Sequence, residues 1–313
     1  MNHPTIRGTS ALAPVAPSIP DLLPRWLAFI DAKPKTLETY TKSLRQFAEY
    51  LAERGETAPT RDTVIAFREH LSAEGKQATT IQTYMTPVKL FFRWTEQEGL
   101  YPNVADHVKG ARLDTEHKKD ALTTGQTKNL LASIDRRTLQ GARDYAIIAL
   151  MVTTGLRTVS VVRANVGDLR TAGDASALYY QGKGHDEKRV YVKIAPEVEA
   201  AIRSYLSMRG EIDMASPLFA SAAHRNAGER MTTRSVSRIA KEAMLDVGLN
   251  SDRLTAHSLR HTAATMNLLN GGTPEETQQM LGHKNLNTTL IYSHALERAK
   301  NNSELRIASA LFD

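Results

Sequence analysis

Apolar residues recur at three- and four-residue steps along the first hundred positions of the chain. One stripe runs from Leu37 to Leu51, a second from Val64 to Leu71 and a third from Ile81 to Trp94. This spacing places apolar side chains on one face of an α-helix. We therefore expect about four helices with short loops, and no strand, between residues 19 and 107. Pro87 falls inside the third stripe and is expected to kink that helix or to divide it.

The pattern then changes, and the change predicts the domain organisation. Residues 108–120 are polar and lack apolar periodicity, which indicates a linker between a helical domain at 19–107 and a second domain at 121–313. Residues 1–18 contain several prolines and no continuous apolar core, so they are predicted to be a flexible tail rather than a signal peptide.

The second domain combines helical and strand patterns. Thr123 and Gln126 have the spacing of a capping box at a helix start, and the apolar run from Arg143 to Thr154 predicts a buried helix that Gly155 ends in a left-handed conformation. Residues 178–181 and 189–194 predict two β-strands, joined as a hairpin.

Helices are also expected over most of the remaining chain. They are predicted to begin near Pro196, Thr232, His257 and Thr273, and the chain is again helical after Tyr292. The last helix carries apolar residues that need a surface to pack against, and a neighbouring subunit would supply one: Leu296, Leu305, Ile307, Ala308 and Leu311. The predicted fold class is thus mainly α with a small β-sheet or hairpin in the C-terminal domain.

Composition narrows the class of protein only moderately. A chain of 313 residues suits two domains, and the absence of cysteine excludes disulfides, thiolate metal sites and cysteine nucleophiles. Its apolar runs are far shorter than the roughly 20 residues of a membrane span, so we expect a cytoplasmic protein without a membrane partner. The net charge of +6 favours a polyanionic partner without establishing one.

Candidate chemistry is concentrated near the C-terminus. On a helix, His257, Arg260 and His261 share one face. Two histidines at this spacing can bind zinc, but the zinc-protease pattern has a glutamate after the first histidine, where this chain has Ser258, and Arg260 would repel a cation. The segment alone is equally compatible with histidines that only satisfy hydrogen bonds in the core.

Four further residues gain meaning from their order along the chain. Arg157 follows the glycine that ends a buried helix, Lys183 lies in the hairpin turn, His283 follows Gly282, and Tyr292 follows on a predicted helical turn. Each is weak evidence alone, because turns often carry solvated basic residues. A histidine at a helix C-terminus also interacts favourably with the helix dipole, whatever its function.

Taken together, these segments resemble the tyrosine recombinase family of phage-type integrases and Xer-type resolvases. The resemblance covers residues 19–313, and it implies a helical, SAM-like core-binding domain followed by a tyrosine recombinase catalytic domain. It also implies site-specific cleavage and rejoining of double-stranded DNA through a 3′-phosphotyrosine, by a homo-tetramer on two duplexes, without a metal or another cofactor. A type IB topoisomerase or a non-catalytic DNA-binding protein on this scaffold remain alternatives.

The resemblance assigns a role to each matched residue. Tyr292 matches the nucleophile, Arg157 and Arg260 the arginines that clamp the scissile phosphate, and Lys183 the lysine that protonates the leaving oxygen. His257 and His283 match the two family histidines, so that the catalytic set is Arg157, Lys183, His257, Arg260, His283 and Tyr292. The chemistry is consistent with these roles, because guanidinium groups bind phosphate oxygens through paired hydrogen bonds. The clustered positive charge is expected to favour the phenolate of Tyr292.

One position departs from the family pattern. An acidic residue usually follows the first arginine by three positions, and here that position is Ser160. We therefore expect Arg157 to be less firmly oriented or to have a substitute partner such as Asp168.

Candidate DNA contacts come from basic residues in both domains. In the first domain they are Lys33, Lys35, Lys42, Arg45, Lys89 and Arg93. In the second they are Arg225, Arg230, Arg234, Arg238 and Lys284. Binding through such residues is expected to weaken steeply with salt.

Overall fold

The computed structural model of the chain describes residues 18–112, 120–182 and 187–312, and the side chains of all of these except 294–300. The chain divides into two compact units, Met1–Glu116 and His117–Asp313. None of the helices in the described residues has both the length and the hydropathy that a membrane span requires.

The first unit is a helical bundle, as the periodicity predicts. Within its described residues it contains four helices and no strand: α1 Ile19–Phe29, α2 Pro34–Glu53, α3 Arg61–Ala73 and α4 Ala78–Gln97. Its core is rich in aromatic side chains, with Trp26, Phe47 and Phe67 completely buried. Val108 joins this core, so the residue at which the sequence predicts the linker to begin packs with the first unit.

Helix α4 continues through Pro87 without a boundary, contrary to one of the two expectations for that residue. A proline has no N–H to donate to the carbonyl four residues earlier, which here belongs to Thr83. The Ser43 hydroxyl of α2 donates to the Thr39 carbonyl of its own helix at 2.9 Å and also lies 3.4 Å from the Thr83 carbonyl. The neighbouring helix thus offers a shared, longer hydrogen bond to the carbonyl that the proline leaves without a donor.

The second unit is mainly helical with one small sheet. Its helices are α5 Thr124–Ser133, α6 Leu139–Thr154, α7 Thr158–Arg163, α8 Pro196–Arg209, α9 Thr233–Asp246, α10 Ala256–Leu269, α11 Pro274–Leu281, α12 Asn287–Lys300 and α13 Ser303–Phe312. Its strands are β1 Leu169–Ala172, β2 Ala175–Tyr180 and β3 Val190–Lys193, in an antiparallel sheet of order β1-β2-β3.

Helix α6 forms the centre of this unit. It packs against α8, α9 and α10, and every side chain from Ala146 to Val152 is buried. A helix that is apolar on all sides needs neighbours on all sides, which explains why the long apolar run produces a central helix. Its end at Gly155 therefore lies among the helices that carry the candidate residues.

Two elements of the second unit do not follow from the sequence pattern. Strand β1 is short and half-exposed and contains Arg170 and Thr171, so it lacks apolar alternation. Helix α7 has only six residues, too few to show a helical period. The predicted capping box is confirmed, because the Thr123 N–H donates to Gln126 Oε1 at 2.9 Å. The helix predicted to begin near Thr273 also has one, with the Thr273 N–H donating to Glu276 Oε2 at 2.8 Å.

Candidate active site

The turn after α6 presents Arg157. Gly155 adopts the left-handed conformation with φ of 65°, as predicted, and its N–H donates to the Met151 carbonyl at 2.9 Å. The chain then turns into α7, where Arg157 is the N-terminal capping residue in an extended conformation and is half-buried. The buried helix α6 thus holds a partly accessible guanidinium at its C-terminal end.

Arg260 on α10 is almost fully buried, at 2% exposure, and is held by two helix ends. Its Nη1 donates to the Gly155 carbonyl at 2.5 Å, at the end of α6, and its Nη2 donates to the Leu281 carbonyl at 2.7 Å, at the end of α11. Carbonyls in the last turn of a helix have no partner within the helix and carry partial negative charge. They therefore fix the guanidinium without neutralising it.

Burial lowers the pKa of Arg260 to about 10, with a smaller lowering from Arg157 that Tyr292 and Tyr180 oppose. Arg260 remains a cation at neutral pH despite its burial. Its charge and that of Arg157 are close enough to repel each other, which is the arrangement expected of two cations that share an anion.

His283 follows the left-handed residue Gly282 at the end of α11. One ring nitrogen, Nδ1, lies 2.8 Å from the hydroxyl of the buried Thr289. Burial lowers the pKa of His283 to about 4, and Arg260, Arg157 and His257 contribute to the lowering. At neutral pH this histidine is an uncharged hydrogen-bonding group.

Tyr292 lies within α12 and is buried, at 6% exposure. The ring of His261 contacts it edge to face with centroids 5.1 Å apart, and contacts the ring of His257 in the same manner at 4.7 Å. His261 therefore contacts the rings of both the exposed His257 and Tyr292, a more central position than the sequence suggested.

The two arginines act on the Tyr292 phenol as expected, but burial outweighs their effect. Arg260 and Arg157 do lower the pKa of Tyr292, but burial raises it more, so the pKa lies above its ordinary value of 10. Removing the phenol from water disfavours the phenolate by more than the two cations favour it. The phenol is therefore protonated at neutral pH in the protein alone.

Asp168 is not a substitute partner of Arg157. It is buried, it accepts the Asn165 backbone N–H at 2.7 Å, and it forms ion pairs with Lys188 and, at 3.6 Å, with Arg170. Ser160 is also buried, at 5% exposure, one turn after Arg157. In the described part of the chain, no residue accepts a hydrogen bond from the Arg157 side chain. The carboxylate of Asp168, expected to take the place of the missing acid, thus pairs with basic residues of and beside the sheet instead.

Lys183 lies outside the described residues. The chain on either side of it is tied to the last residue of α7: Arg163 Nη1 donates to Gln181 Oε1 at 2.8 Å, and Lys188 Nζ donates to the Arg163 carbonyl at 2.9 Å. The segments that flank the lysine are therefore anchored to the same short helix that Arg157 caps.

A cleft of about 600 Å³ opens beside these groups, and Arg157, His257 and Arg260 line it together with Lys241 and Asp252. The residues that the structure describes contain no cluster of three or more histidine, aspartate and glutamate side chains arranged to hold a metal ion. The arrangement is thus a cationic site with a nearby phenol, and an anion is the ligand that it suits.

Five of the six matched residues converge through their contacts or their electrostatic influence on one another: Arg157, His257, Arg260, His283 and Tyr292. The sequence analysis missed Tyr180 of β2, a buried phenol whose pKa burial raises and Arg260 and Arg157 lower. Its alternation with the buried Leu178 along β2 is the signal that points it inward.

The candidate DNA contacts differ in the exposure of their side chains and in the partners that hold them. Arg230 is exposed, but its guanidinium donates to the carbonyls of Val162 and Ala164 and to the side chain of Asn165, so it supports α7. The others lie at exposed or, for Lys89, half-buried positions: Lys33, Lys35, Lys42, Arg45, Lys89, Arg93, Arg225, Arg234, Arg238 and Lys284.

We predict that Gly155→Ala destabilises the second unit more than Gly173→Ala. Both glycines have positive φ, 65° and 62°, so each alanine costs about 1–2 kcal/mol of backbone strain. Only at Gly155 would the added Cβ meet Leu281 Cδ2, at 2.4 Å, whereas Gly173 has nothing within 4 Å. The extra loss in the free energy of unfolding should be about 1–3 kcal/mol, measured by urea denaturation. Equal losses would contradict the packing argument.

We further predict that His283 stays uncharged well below pH 6.5, the ordinary pKa of histidine, and titrates near pH 4 when its ring signals are followed by NMR. Because its pKa is lower in the folded than in the unfolded chain, His283 has no effect on stability above pH 6.5 and destabilises the fold as the pH falls from about 6.5 to 4. Arg157→Ala should raise this pKa and Arg163→Ala should not. A pKa unchanged by Arg157→Ala would contradict the assigned electrostatics.

Comparison with known proteins agrees with this geometry. Residues 120–298 match the phage integrase family, and residues 29–99 match its N-terminal SAM-like domain. The tyrosine recombinase XerC of Herpetosiphon aurantiacus is 30% identical over 83% of this chain and 84% of its own length, and XerC of Chlamydia caviae is 27% identical over 89% and 96%.

Solved structures with the same fold come from the same group of proteins. XerH bound to a palindromic difH substrate superposes with a TM-score of 0.67 at 22% identity, over 84% of this chain and 78% of that one. The Tn1549 transposon integrase in complex with transposon right end DNA gives 0.69 at 20% identity, over 88% and 94%. With the family model covering more than half of its length, the chain belongs to the phage integrase family of tyrosine recombinases.

Proposed function

We propose that this protein is a site-specific recombinase that cleaves and rejoins double-stranded DNA through a phosphotyrosyl intermediate on Tyr292. The observation that carries the proposal is the convergence of two arginines on one phenol. Arg260 and Arg157 both act electrostatically on Tyr292, and both lie beside the uncharged His283. Two helices, α10 and α12, and the two turns that follow α6 and α11 supply these groups, so their convergence is a product of the fold.

In the proposed reaction, Arg157 and Arg260 bind the non-bridging oxygens of the scissile phosphate. The oxygen of Tyr292 attacks phosphorus, the bond from phosphorus to the 5′-oxygen breaks, and the strand is left joined through a 3′-phosphotyrosine. His257 takes the phenolic proton, and Lys183 gives a proton to the leaving 5′-oxygen. A base is required because the phenol, whose pKa burial raises above 10, is protonated at neutral pH.

The remaining groups have supporting roles in this scheme. His283, uncharged at neutral pH, donates a hydrogen bond to a phosphate oxygen while its other ring nitrogen faces Thr289. Charge stabilisation comes from the arginines, so we propose that the reaction proceeds without a metal ion or nucleotide. Rejoining reverses the step, with a 5′-hydroxyl from a second strand attacking the phosphotyrosine.

We propose that the enzyme acts in the cytoplasm as a tetramer on two DNA duplexes, with the basic residues of both units contacting the DNA. Helix α13 supports an assembled state, because its apolar side chains are exposed: Leu305, Ile307, Leu311 and Phe312. An apolar helix face of this kind suits docking on a neighbouring subunit. The relatives of known structure that are bound to DNA support the choice of partner.

The central test is covalent trapping. Footprinting on the DNA that flanks the gene identifies a bound site, and a duplex of this site with a nick near the cleavage position serves as a suicide substrate. The wild-type protein should form a covalent adduct, with EDTA present or absent, and Tyr292→Phe should form none. Tyr191→Phe, which removes an exposed phenol, is the matched control.

The outcomes separate the alternatives. A wild-type protein that binds its site but forms no adduct would identify a non-catalytic DNA-binding protein and refute the proposal. Adduct formation and plasmid relaxation without strand exchange would favour a topoisomerase.

Ser160 provides a second test. We predict that Ser160→Glu retains cleavage activity, because an acid at this position would restore a carboxylate one turn from Arg157. Ser160→Gln has nearly the same volume without the charge and separates electrostatic from steric effects at this buried position. A large loss of cleavage with glutamate but not with glutamine would show that the site depends on a neutral residue there.

A further inference from the structure

Strand β2 points two adjacent tyrosines in opposite directions. Tyr180 is buried in the core of the second unit, at 5% exposure, on the same face as Leu178. Tyr179 lies on the other face. Its ring centroid is 5.3 Å from that of Tyr191, and the guanidinium carbon of Arg170 lies over its ring, 5.0 Å from the centroid. The chain thus contains two neighbouring phenols, and only one of them is directed toward the catalytic helices.

The hydroxyl of Tyr180 lies against the end of α11. A Cβ atom added to Gly282 would be 3.2 Å from this oxygen. Gly282 is flanked by Leu281, whose carbonyl holds Arg260, and by His283. The phenol therefore reaches the point of the site where one arginine and one histidine are positioned, and both Arg260 and Arg157 act on it electrostatically.

The Tyr180 hydroxyl forms no hydrogen bond with any of the described residues. Buried polar atoms that are fully enclosed and lack a partner occur, among the described residues, only in the first unit, so this hydroxyl is not one of them. Part of this hydroxyl is therefore accessible to solvent, within the electrostatic influence of the two arginines. Guanidinium groups only donate hydrogen bonds, so the Tyr180 proton needs an acceptor that the arginines cannot provide.

We propose that Tyr180 is an additional catalytic residue whose hydroxyl donates a hydrogen bond to a non-bridging oxygen of the scissile phosphate. The inference rests on the proposed function, since it requires a phosphodiester between the two arginines. The phosphate brings an acceptor to a place where the protein offers donors, and the hydroxyl lies beside the groups that would bind it. Gly282 keeps this space open, because a side chain there would press on the phenol oxygen.

The test compares Tyr180→Phe with Tyr179→Phe on the nicked suicide substrate at saturating DNA. Each variant loses one hydroxyl and keeps its ring, so packing is preserved on both faces of β2. Tyr180→Phe should form the covalent adduct roughly tenfold to a hundredfold more slowly than wild type, the effect of one hydrogen bond to a charged group. Tyr179→Phe should react at the wild-type rate.

A second measurement separates contact with the phosphate from a structural effect. A methylphosphonate at the scissile position replaces one non-bridging oxygen, and its two diastereomers replace different oxygens. The rate difference between wild type and Tyr180→Phe should vanish for one diastereomer and persist for the other. Because each enzyme is compared with itself on two substrates, a smaller folded fraction would cancel.

The inference is overturned if Tyr180→Phe reacts as fast as wild type, or if its defect is the same on both diastereomers. Failure of the wild-type protein to form any adduct would instead refute the proposed function.

Discussion

The guanidinium of Arg260 connects the parts of the site, because it bonds to the carbonyls that end two separate helices. Its hydrogen bonds to Gly155 and Leu281 join α6 and α11 through a residue of α10. Helix-end carbonyls stabilise a buried cation while leaving its charge uncompensated, which a carboxylate would not do. Arg157, His283 and Tyr292 all depend on this junction, because they follow the same helix ends or pack against α10.

The junction at Arg260 explains why the positions after α6 and α11 are occupied by Gly155 and Gly282. Gly155 must accept a left-handed conformation so that its carbonyl turns toward Arg260, and Leu281 fills the space where a side chain would be. Gly282 reverses the chain after α11 in the same way and leaves room for the Tyr180 hydroxyl. The requirement for glycine at both positions is therefore one of space as well as of backbone conformation.

Local signals made much of this structure predictable, and long-range contacts account for the rest. Periodicity and caps predict the helices, and the left-handed turn at Gly155 follows from a glycine after a buried run. Asp168 could not be assigned in this way, because its pairing with Lys188 arises from the return of a hairpin. The effect of the cations on the pKa of Tyr292 follows from the sequence, but the burial that outweighs this effect does not. Tyr180 belongs to no motif, so its position beside the end of α11 follows only from the three-dimensional placement of β2.

Burial and charge together make this a site that suits an anion. In the described residues, the charges that shift the pKa of Arg260, His283 and Tyr292 come from arginines, a histidine and phenols, without a carboxylate among them. The arginines repel each other, and burial keeps Tyr292 protonated and His283 uncharged. In the proposed function, a phosphodiester would relieve this repulsion and accept hydrogen bonds from the arginines. The absence of an acid at Ser160 fits the same proposal, because it leaves the charge of Arg157 to be balanced by the proposed substrate.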